Sequence, residues 1–199
     1  MCKIHKMAGR PKIYKEEEVL GEALELFWRK GYESTSTEDL LQGMRLNKGS
    51  LYHNFGSKKE LFVKTMDFFS VRAAQDMRKK IAAYDNPIEG IRQFFLGLAD
   101  SDQATHQKGC FMGNSLAELA NVDHDLKQRA KVHLEAMENM FLKVLREAKR
   151  AGTLKTKETP ENLARYLLNL WNGINITRRI HPRKEMLEPI IRMQLSVLE

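Results

Sequence analysis

The sequence predicts an all-α protein of about nine to ten helices, and three observations support this prediction. Apolar residues recur three and four positions apart along most of the 199-residue chain, as on one face of a helix. The alternation of apolar and polar residues that is typical of a half-buried strand is absent. Residues that cap helices, such as Ser57 and Asp123, precede several of the periodic segments.

Capping residues and one glycine predict the first four helices. The first helix carries three consecutive glutamates in its first turn, where the helix dipole favours acids, and it ends at Gly31. Ser36 and Asp39 form a capping box that begins a second, short helix. Asn47 caps a third helix, and Ser57 in the sequence SKKE caps a long fourth helix.

The rest of the chain also consists of helices in this prediction. Asn86, followed by a proline at the first helical position, begins the next helix. The segment ADSDQATHQKG is predicted to be a loop, and CFMGNSLAELA a short helix. Asp123 caps a long helix, Thr159 caps another, and a last helix covers residues 184–198.

The charge balance limits the partners and the location of the protein. The formal net charge is +7 and the pI about 9.4, which favours a nucleic acid, an anionic membrane or an acidic ligand as partner. No apolar run approaches the ~18 residues that cross a bilayer, and the N-terminus lacks the apolar core of a signal peptide. Two cysteines are too few for a disulfide framework. We therefore expect a cytoplasmic protein that binds no membrane.

The segment LNKGSLYHNFGSKKELF, residues 46–62, contains the short third helix and predicts what it contacts. With Asn47 as the N-cap, Leu46 and Leu51 form a hydrophobic staple, and Leu51 shares an apolar face with Phe55. The opposite face is small, polar and aromatic. Such a helix, preceded by a short helix and a tight turn, predicts a helix-turn-helix motif whose second helix enters the major groove of DNA.

The predicted DNA contacts lie on this motif and on its flanking segments. Small residues let the backbone approach phosphates and base edges, while lysine and tyrosine suit phosphate oxygens. The start of the fourth helix offers free amides with Lys58 and Lys59 to an anion. Residues 45–59 contain four bases and no acid, and a basic arm at residues 1–9 adds positive charge. The predicted DNA-binding residues are Ser36, Thr37, Arg45, Asn47, Lys48, Gly49, Ser50, Tyr52, His53 and Lys58.

From about residue 10 to residue 69 the chain closely resembles the TetR family of transcriptional repressors. The segments EALELFWRKGYESTSTEDL and LNKGSLYHNFGSKKELF carry the resemblance, and KGCFMGNSLAEL is similar to a segment of one branch of the family. The resemblance implies a helix-turn-helix domain at residues 10–70 and a helical ligand-binding and dimerisation domain at residues 71–199. The expected function is that of a homodimeric repressor that binds a palindromic operator and is released by a small-molecule effector.

Two positions depart from the family pattern. Arg45 stands in the turn where the family usually has glycine, so it must either adopt a positive φ at a modest energetic cost or serve as an extra phosphate contact. Lys15 occupies the place of the usual serine or threonine cap of the first helix. The first departure bears on which contacts the turn at Arg45 makes with DNA.

The second domain holds the candidates for the effector and dimer sites. Trp171 lies beside two asparagines, which suits a flat and mostly apolar ligand, although a tryptophan here also suits the core. The candidate ligand-binding residues are Phe95, Cys110, Met112, Leu116, Trp171, Asn172 and Asn175. The long helices either form the core or also pair with a second subunit, with Leu134, Phe141, Leu145, Leu163, Tyr166, Leu167, Leu170 and Ile174 as candidate dimer residues.

Other functions are weighed against this prediction. Cys110 follows Lys108 near a helix start, and both features make a thiol more reactive, so a repressor that senses oxidants or electrophiles is one alternative; a buried packing role is the other. The six histidines have no metal-ligand spacing, and no P-loop, dinucleotide, HExxH or GxSxG motif occurs. We expect no enzyme, no metal and no cofactor. A helical interaction protein that does not bind DNA is the remaining alternative.

Overall fold

The computed structural model describes residues 15–199, and this part of the chain forms ten α-helices and two short 3-10 turns without a strand. The all-α prediction is confirmed. The predicted basic arm at residues 1–9 lies outside the described residues. The helices are α1 Glu16–Lys30, α2 Thr37–Gly43, α3 Lys48–Phe55, α4 Lys58–Ala82, α5 Pro87–Leu96, α6 Gln103–Lys108, α7 Phe111–Leu119, α8 His124–Arg150, α9 Pro160–Ile180 and α10 Lys184–Leu195. The 3-10 turns are Gly97–Asp100 and Ser196–Leu198.

The predicted capping residues begin and end the helices as expected. The Ser36 hydroxyl accepts a hydrogen bond from the Asp39 amide at 3.0 Å, and the Asp39 carboxylate accepts one from the Ser36 amide at 3.0 Å. The Asn47 side chain accepts from the Ser50 amide at 2.8 Å. Gly31 follows α1 with a φ of 84°, a left-handed conformation that favours glycine. These contacts are local in sequence, which is why the capping rules predict them.

The prediction of a loop for ADSDQATHQKG is wrong. The segment instead contains the last two residues of the first 3-10 turn and all of α6. Asp102 caps α6, because its carboxylate accepts a hydrogen bond from the Thr105 amide at 2.7 Å. The helix carries no apolar periodicity that would indicate it in the sequence; of its residues only His106 is buried.

The first apolar core joins the predicted DNA-binding helices to the second domain. We call residues 15–70 the head, following the predicted boundary. The Phe27 and Phe62 rings lie 4.8 Å apart in the head, and Phe111 of α7 lies 5.8 Å from Phe62. Residues from α7 and the first half of α8 complete this core. Helix α4 continues through residue 70 without a break, so the head is fixed to the rest of the chain by one rigid helix and by shared packing.

The second core lies between the end of α4, α5, the second half of α8, α9 and α10. Seven of the eight candidate dimer residues are buried in the single chain, so they pack inside it and are unavailable to a partner. These seven are Leu134, Phe141, Leu145, Leu163, Leu167, Leu170 and Ile174. The eighth, Tyr166, is half-buried and donates its hydroxyl proton to the Gln194 carbonyl at 2.7 Å. For the seven buried residues the dimer assignment is wrong, because apolar periodicity identifies the inward face of a helix.

Candidate DNA-binding surface and effector cavity

Helix α3 is held by one apolar face and exposes the other. Leu51 and Phe55 are fully buried in the first core, and Leu46 packs partly buried against it. The Asn47 cap fixes the start of the helix through its bond to the Ser50 amide. A short helix that is fixed at its start and along one side can present its outer side chains in a defined orientation, as base reading requires.

The ten predicted DNA-binding residues all retain access to solvent. Ser36 and Asn47 are exposed, but their side-chain oxygens already accept capping hydrogen bonds, so they position the two helices first. The other exposed residues are Arg45, Lys48, Gly49, Tyr52 and His53, and the partly buried ones are Thr37, Ser50 and Lys58. The turn, α3 and the start of α4 therefore display small, basic and aromatic groups without an exposed carboxylate before Glu60.

The turn between α2 and α3 is a Schellman motif with arginine at the usual glycine position. The Leu46 amide donates to the Leu41 carbonyl at 3.0 Å, and the Arg45 amide donates to the Gln42 carbonyl at 3.3 Å. Arg45 has a φ of 54°, and it is the one non-glycine residue with a positive φ in residues 15–199. The expected positive φ is confirmed, at a cost of about 1–2 kcal/mol. The guanidinium is exposed beside the start of α3.

The two lysines at the start of α4 have different surroundings. The Lys58 ammonium lies 4.5 Å from the Tyr32 ring centroid, and it donates to the Glu33 carbonyl at 3.4 Å. The Lys59 ammonium lies 2.8 Å from the Asp123 carboxylate and 3.2 Å from that of Asp125, both at the start of α8. Its hydrogen bond lowers the pKa of Asp123. Lys59 therefore joins the head to the second domain, which corrects its expected role as a phosphate ligand.

Further contacts hold the end of α1 against α6 and α7. The Glu118 carboxylate accepts hydrogen bonds from the Tyr32 and Glu33 amides at 3.1 and 2.9 Å. The Lys108 ammonium lies 2.7 Å from the Glu25 carboxylate, and the Lys108 carbonyl accepts from the indole N–H of Trp28 at 3.2 Å. Sequence reasoning missed these contacts, because the partners are at least 80 residues apart and no pattern joins them.

A cavity of about 960 Å³ lies where the head meets the second domain. Its walls come from α1, α6, α7 and α9, with Leu134 of α8. Four of the candidate ligand residues line it: Cys110, Leu116, Asn172 and Asn175. The other three do not. Phe95 and Met112 are buried in the two cores, and Trp171 stacks on Phe94 with ring centroids 5.6 Å apart. Large apolar residues fill cores as readily as they line cavities, so residue type alone does not separate these three from the residues of the cavity wall.

The cavity has an apolar wall and a polar wall. Phe27, Trp28 and Phe111 contribute aromatic surface from α1 and α7. Asn172, Asn175 and Arg179 lie three and four residues apart, so they share one face of α9. Asn175 is 2% exposed; its amide nitrogen donates to the Trp171 carbonyl at 2.8 Å, while its oxygen has no partner in the described chain. Sequence reasoning missed Arg179, because an arginine in the last turn of a helix usually faces solvent.

Comparison with known proteins identifies the family to which both parts of the chain are similar. The family described as "Bacterial regulatory proteins, tetR family" matches residues 19–65, and "Tetracyclin repressor-like, C-terminal domain" matches residues 87–193. The uncharacterized HTH-type transcriptional regulator YezE of Bacillus subtilis is 29% identical over 96% of this chain and 100% of its own length. The HTH-type transcriptional repressor ComR of Escherichia coli is 26% identical over 88% of this chain and 85% of its own length.

Solved structures show the same fold. A cysteine mutant of the TetR family transcriptional regulator CifR, complexed with 26-base-pair operator DNA, matches with a TM-score of 0.83 at 20% identity, covering 96% of this chain and 100% of that chain. The reduced form of Escherichia coli NemR matches with a TM-score of 0.82 at 20% identity, covering 92% of this chain and 96% of that chain.

No helix in residues 15–199 is long and apolar enough to cross a membrane. With its helix-turn-helix head and both domain matches, the chain belongs to the TetR family and is a DNA-binding transcriptional regulator, not an enzyme.

Proposed function

We propose that the protein is a homodimeric repressor that leaves its palindromic operator when a small molecule occupies the cavity. The observation that carries this proposal is the position of the cavity, because α1 of the head forms one of its walls. A ligand there contacts the DNA-binding domain directly. It releases DNA if it binds more tightly to a conformation in which the heads no longer fit the operator.

The contacts between α1 and α7 connect the cavity to the head, in addition to the connection that α4 provides. Glu118 both lines the cavity and accepts hydrogen bonds from the Tyr32 and Glu33 amides. A ligand that displaces α7 relative to α1 alters the position of these amides at the end of α1. Helix α4 would carry this displacement to α3, since α4 begins beside α3 and ends in the second core.

The proposed dimer surface consists of the outward stripes of α8 and α9, which replace the buried residues first assigned to it. Ile176 and Ile180 of α9 are 55% and 68% exposed in the single chain and lie one helical turn apart, so they form a contiguous apolar surface. Each stripe follows helical spacing: Val132, Ala136, Asn139 and Lys143 on α8, and Asn169, Gly173, Ile176 and Ile180 on α9. Two heads joined in this way can read two half-sites of a palindrome.

Selection of bound DNA from a random pool tests the DNA-binding part of this proposal. The expected product is a palindrome with half-sites one or more helical turns apart, and the sequence upstream of the protein's own gene is compared with it. Failure to enrich any sequence, together with no binding to DNA at low salt, would instead support a helical interaction protein.

His53 is expected to read bases, because it is exposed on the outer face of α3. Selection repeated with His53→Ala, and separately with Ser50→Ala, should change the preferred sequence at defined positions of each half-site by about 1–3 kcal/mol per position. His124→Ala changes an exposed histidine on α8 and should leave the preference unchanged. A uniform loss of affinity across all sequences would argue against base reading by either residue.

Lys58 is expected to contact phosphate after turning away from Tyr32. Lys58→Ala should weaken binding to all DNA sequences alike and lower the slope of log affinity against log salt by about one. The measurement is a titration of labelled operator and unrelated DNA at several salt concentrations. Lys79→Ala, at an exposed position of α4 in the second domain, is the control. An unchanged slope for Lys58→Ala would remove this residue from the phosphate contacts.

A second candidate function is a response to oxidants or electrophiles through Cys110. This free thiol lines the cavity and caps α7, since its sulfur accepts a hydrogen bond from the Gly113 amide at 3.3 Å. Modification there would break the cap and fill part of the cavity. Cys110→Ser should abolish release of operator by hydrogen peroxide and N-ethylmaleimide, while Cys2→Ser should retain it. A Cys110→Ser protein that responds as the parent does would exclude this function.

A further inference from the structure

The wall of the cavity holds a guanidinium group that no carboxylate of the described chain pairs with. Arg179 lines the cavity, and Arg178 lies beside it with 4% of its surface exposed. The Arg178 guanidinium donates to the Gly109 carbonyl at 3.0 Å, and its Nε has no acceptor. Neither arginine forms an ion pair within residues 15–199. Buried charges are usually paired, because removing an ion from water is costly.

Some hydrogen-bond donors of the Arg179 guanidinium have acceptors in the chain, and others remain available to a ligand. Its Nη2 donates to the Lys108 carbonyl at 2.7 Å and to the Asn114 side-chain oxygen at 2.8 Å. Its Nε is buried and has no acceptor. Guanidinium groups remain protonated in proteins, so both arginines carry their charge. The structure thus holds a fixed cationic group at the polar wall of the cavity.

The acidic side chains of the cavity are already occupied. The Glu25 carboxylate pairs with Lys108 at 2.7 Å. The Glu118 carboxylate accepts the two hydrogen bonds from the amides that follow α1. Moving either acid to the arginines would break a contact between the head and the second domain. A ligand can supply the missing negative charge without that loss.

We propose that the effector is an amphipathic monocarboxylate. Its carboxylate pairs with Arg179, a hydrogen-bond donor on it meets the unpartnered oxygen of Asn175, and its apolar body lies against Trp28 and Phe111. Asn175 and Arg179 are one helical turn apart on the same face of α9, so one small molecule can reach both. This inference rests on the proposed role of the cavity as the effector site.

A single carboxylate fits this wall better than a phosphate. Arg179 is a partly buried cation with a buried Nε, it lines the cavity without an acidic partner, and most of the remaining surface is apolar. A doubly charged phosphate would bring a second charge out of water into an apolar space, which costs additional desolvation free energy. The planar guanidinium also matches the geometry of a carboxylate.

Shape-matched pairs of probes test the charge requirement. The full-length protein is titrated by calorimetry with 3-phenylpropanoate and 3-phenylpropanamide, indole-3-acetate and indole-3-acetamide, and decanoate and decanamide. We expect a carboxylate to bind at least about tenfold more tightly than its own amide. Arg179→Gln should remove this preference, Arg179→Lys should retain part of it, and Arg183→Gln, an exposed arginine beyond α9, should retain all of it.

Three results would overturn the inference: amides that bind as tightly as their carboxylates, a preference that survives Arg179→Gln, or binding of no carboxylate in the panel. Circular dichroism verifies that each variant is folded. If Arg179→Gln does not fold, the carboxylate and amide affinities of the wild-type protein and of Arg179→Lys decide the question. A parallel operator titration separates the two proposals. A carboxylate that binds without releasing DNA contradicts only the proposal that the cavity controls operator binding. Release of DNA by a neutral amide contradicts only the proposal that the effector is a carboxylate.

Discussion

Gly173→Arg is expected to convert the protein from a dimer to a monomer and to lower its operator affinity by about 10²–10⁴-fold, the usual gain from linking two binding modules. Gly173 lies at the centre of the exposed α9 stripe, and a Cβ there would meet no atom of the single chain within 4 Å. The arginine therefore has room in the monomer. In a dimer whose α9 helices approach along this stripe, the long charged side chain would separate the two surfaces.

Gly97→Arg is the matched control. Gly97 is also exposed, has a φ of −60° and has no atom within 4 Å of its missing Cβ, but it lies in the 3-10 turn after α5. Sedimentation or light scattering should give twice the 23.1 kDa chain mass for Gly97→Arg and the single chain mass for Gly173→Arg. If Gly173→Arg remains dimeric and folded, the subunits associate through another face.

The features that were predictable from sequence are those that depend on neighbouring residues. Asn47 caps α3 by reaching an amide three residues on, and the Schellman turn at Arg45 closes over six residues. Both are set by local geometry, so their residue types are informative. Glu118 is different. Its partners are the amides of Tyr32 and Glu33, about 85 residues earlier, and any residue offers a backbone amide.

The dimer and ligand residues were harder to predict for a related reason. Periodicity identifies which face of α8 or α9 is buried, but Leu145 and Leu170 would show the same pattern whether they packed in the monomer or against a partner. Arg179 gave no signal at all, since its position near the helix end suits solvent equally well. Its buried, unpaired Nε becomes visible only when α6 and α7 are placed over α9.

A pair of glycine substitutions provides the second test, and it addresses the packing that holds α4 in place. Gly90 of α5 is buried, and a Cβ at this position would overlap the backbone carbonyl oxygen of Ile81 in α4. Gly21 lies in the middle of α1 and has no atom within 4 Å of its missing Cβ. Both are helical, so alanine gains about 0.5–1 kcal/mol of helix propensity at either site.

The two substitutions should therefore have opposite effects on thermal unfolding. Gly21→Ala should raise the melting temperature by about 1–4 °C, whereas Gly90→Ala should lower it by about 4–10 °C, because the overlap with Ile81 costs more than the propensity gain. The overlap involves backbone, which cannot rotate away as a flexible side chain would. Circular dichroism at several heating rates measures both changes. Equal stabilisation by both alanines would show that α4 and α5 do not approach so closely at Gly90.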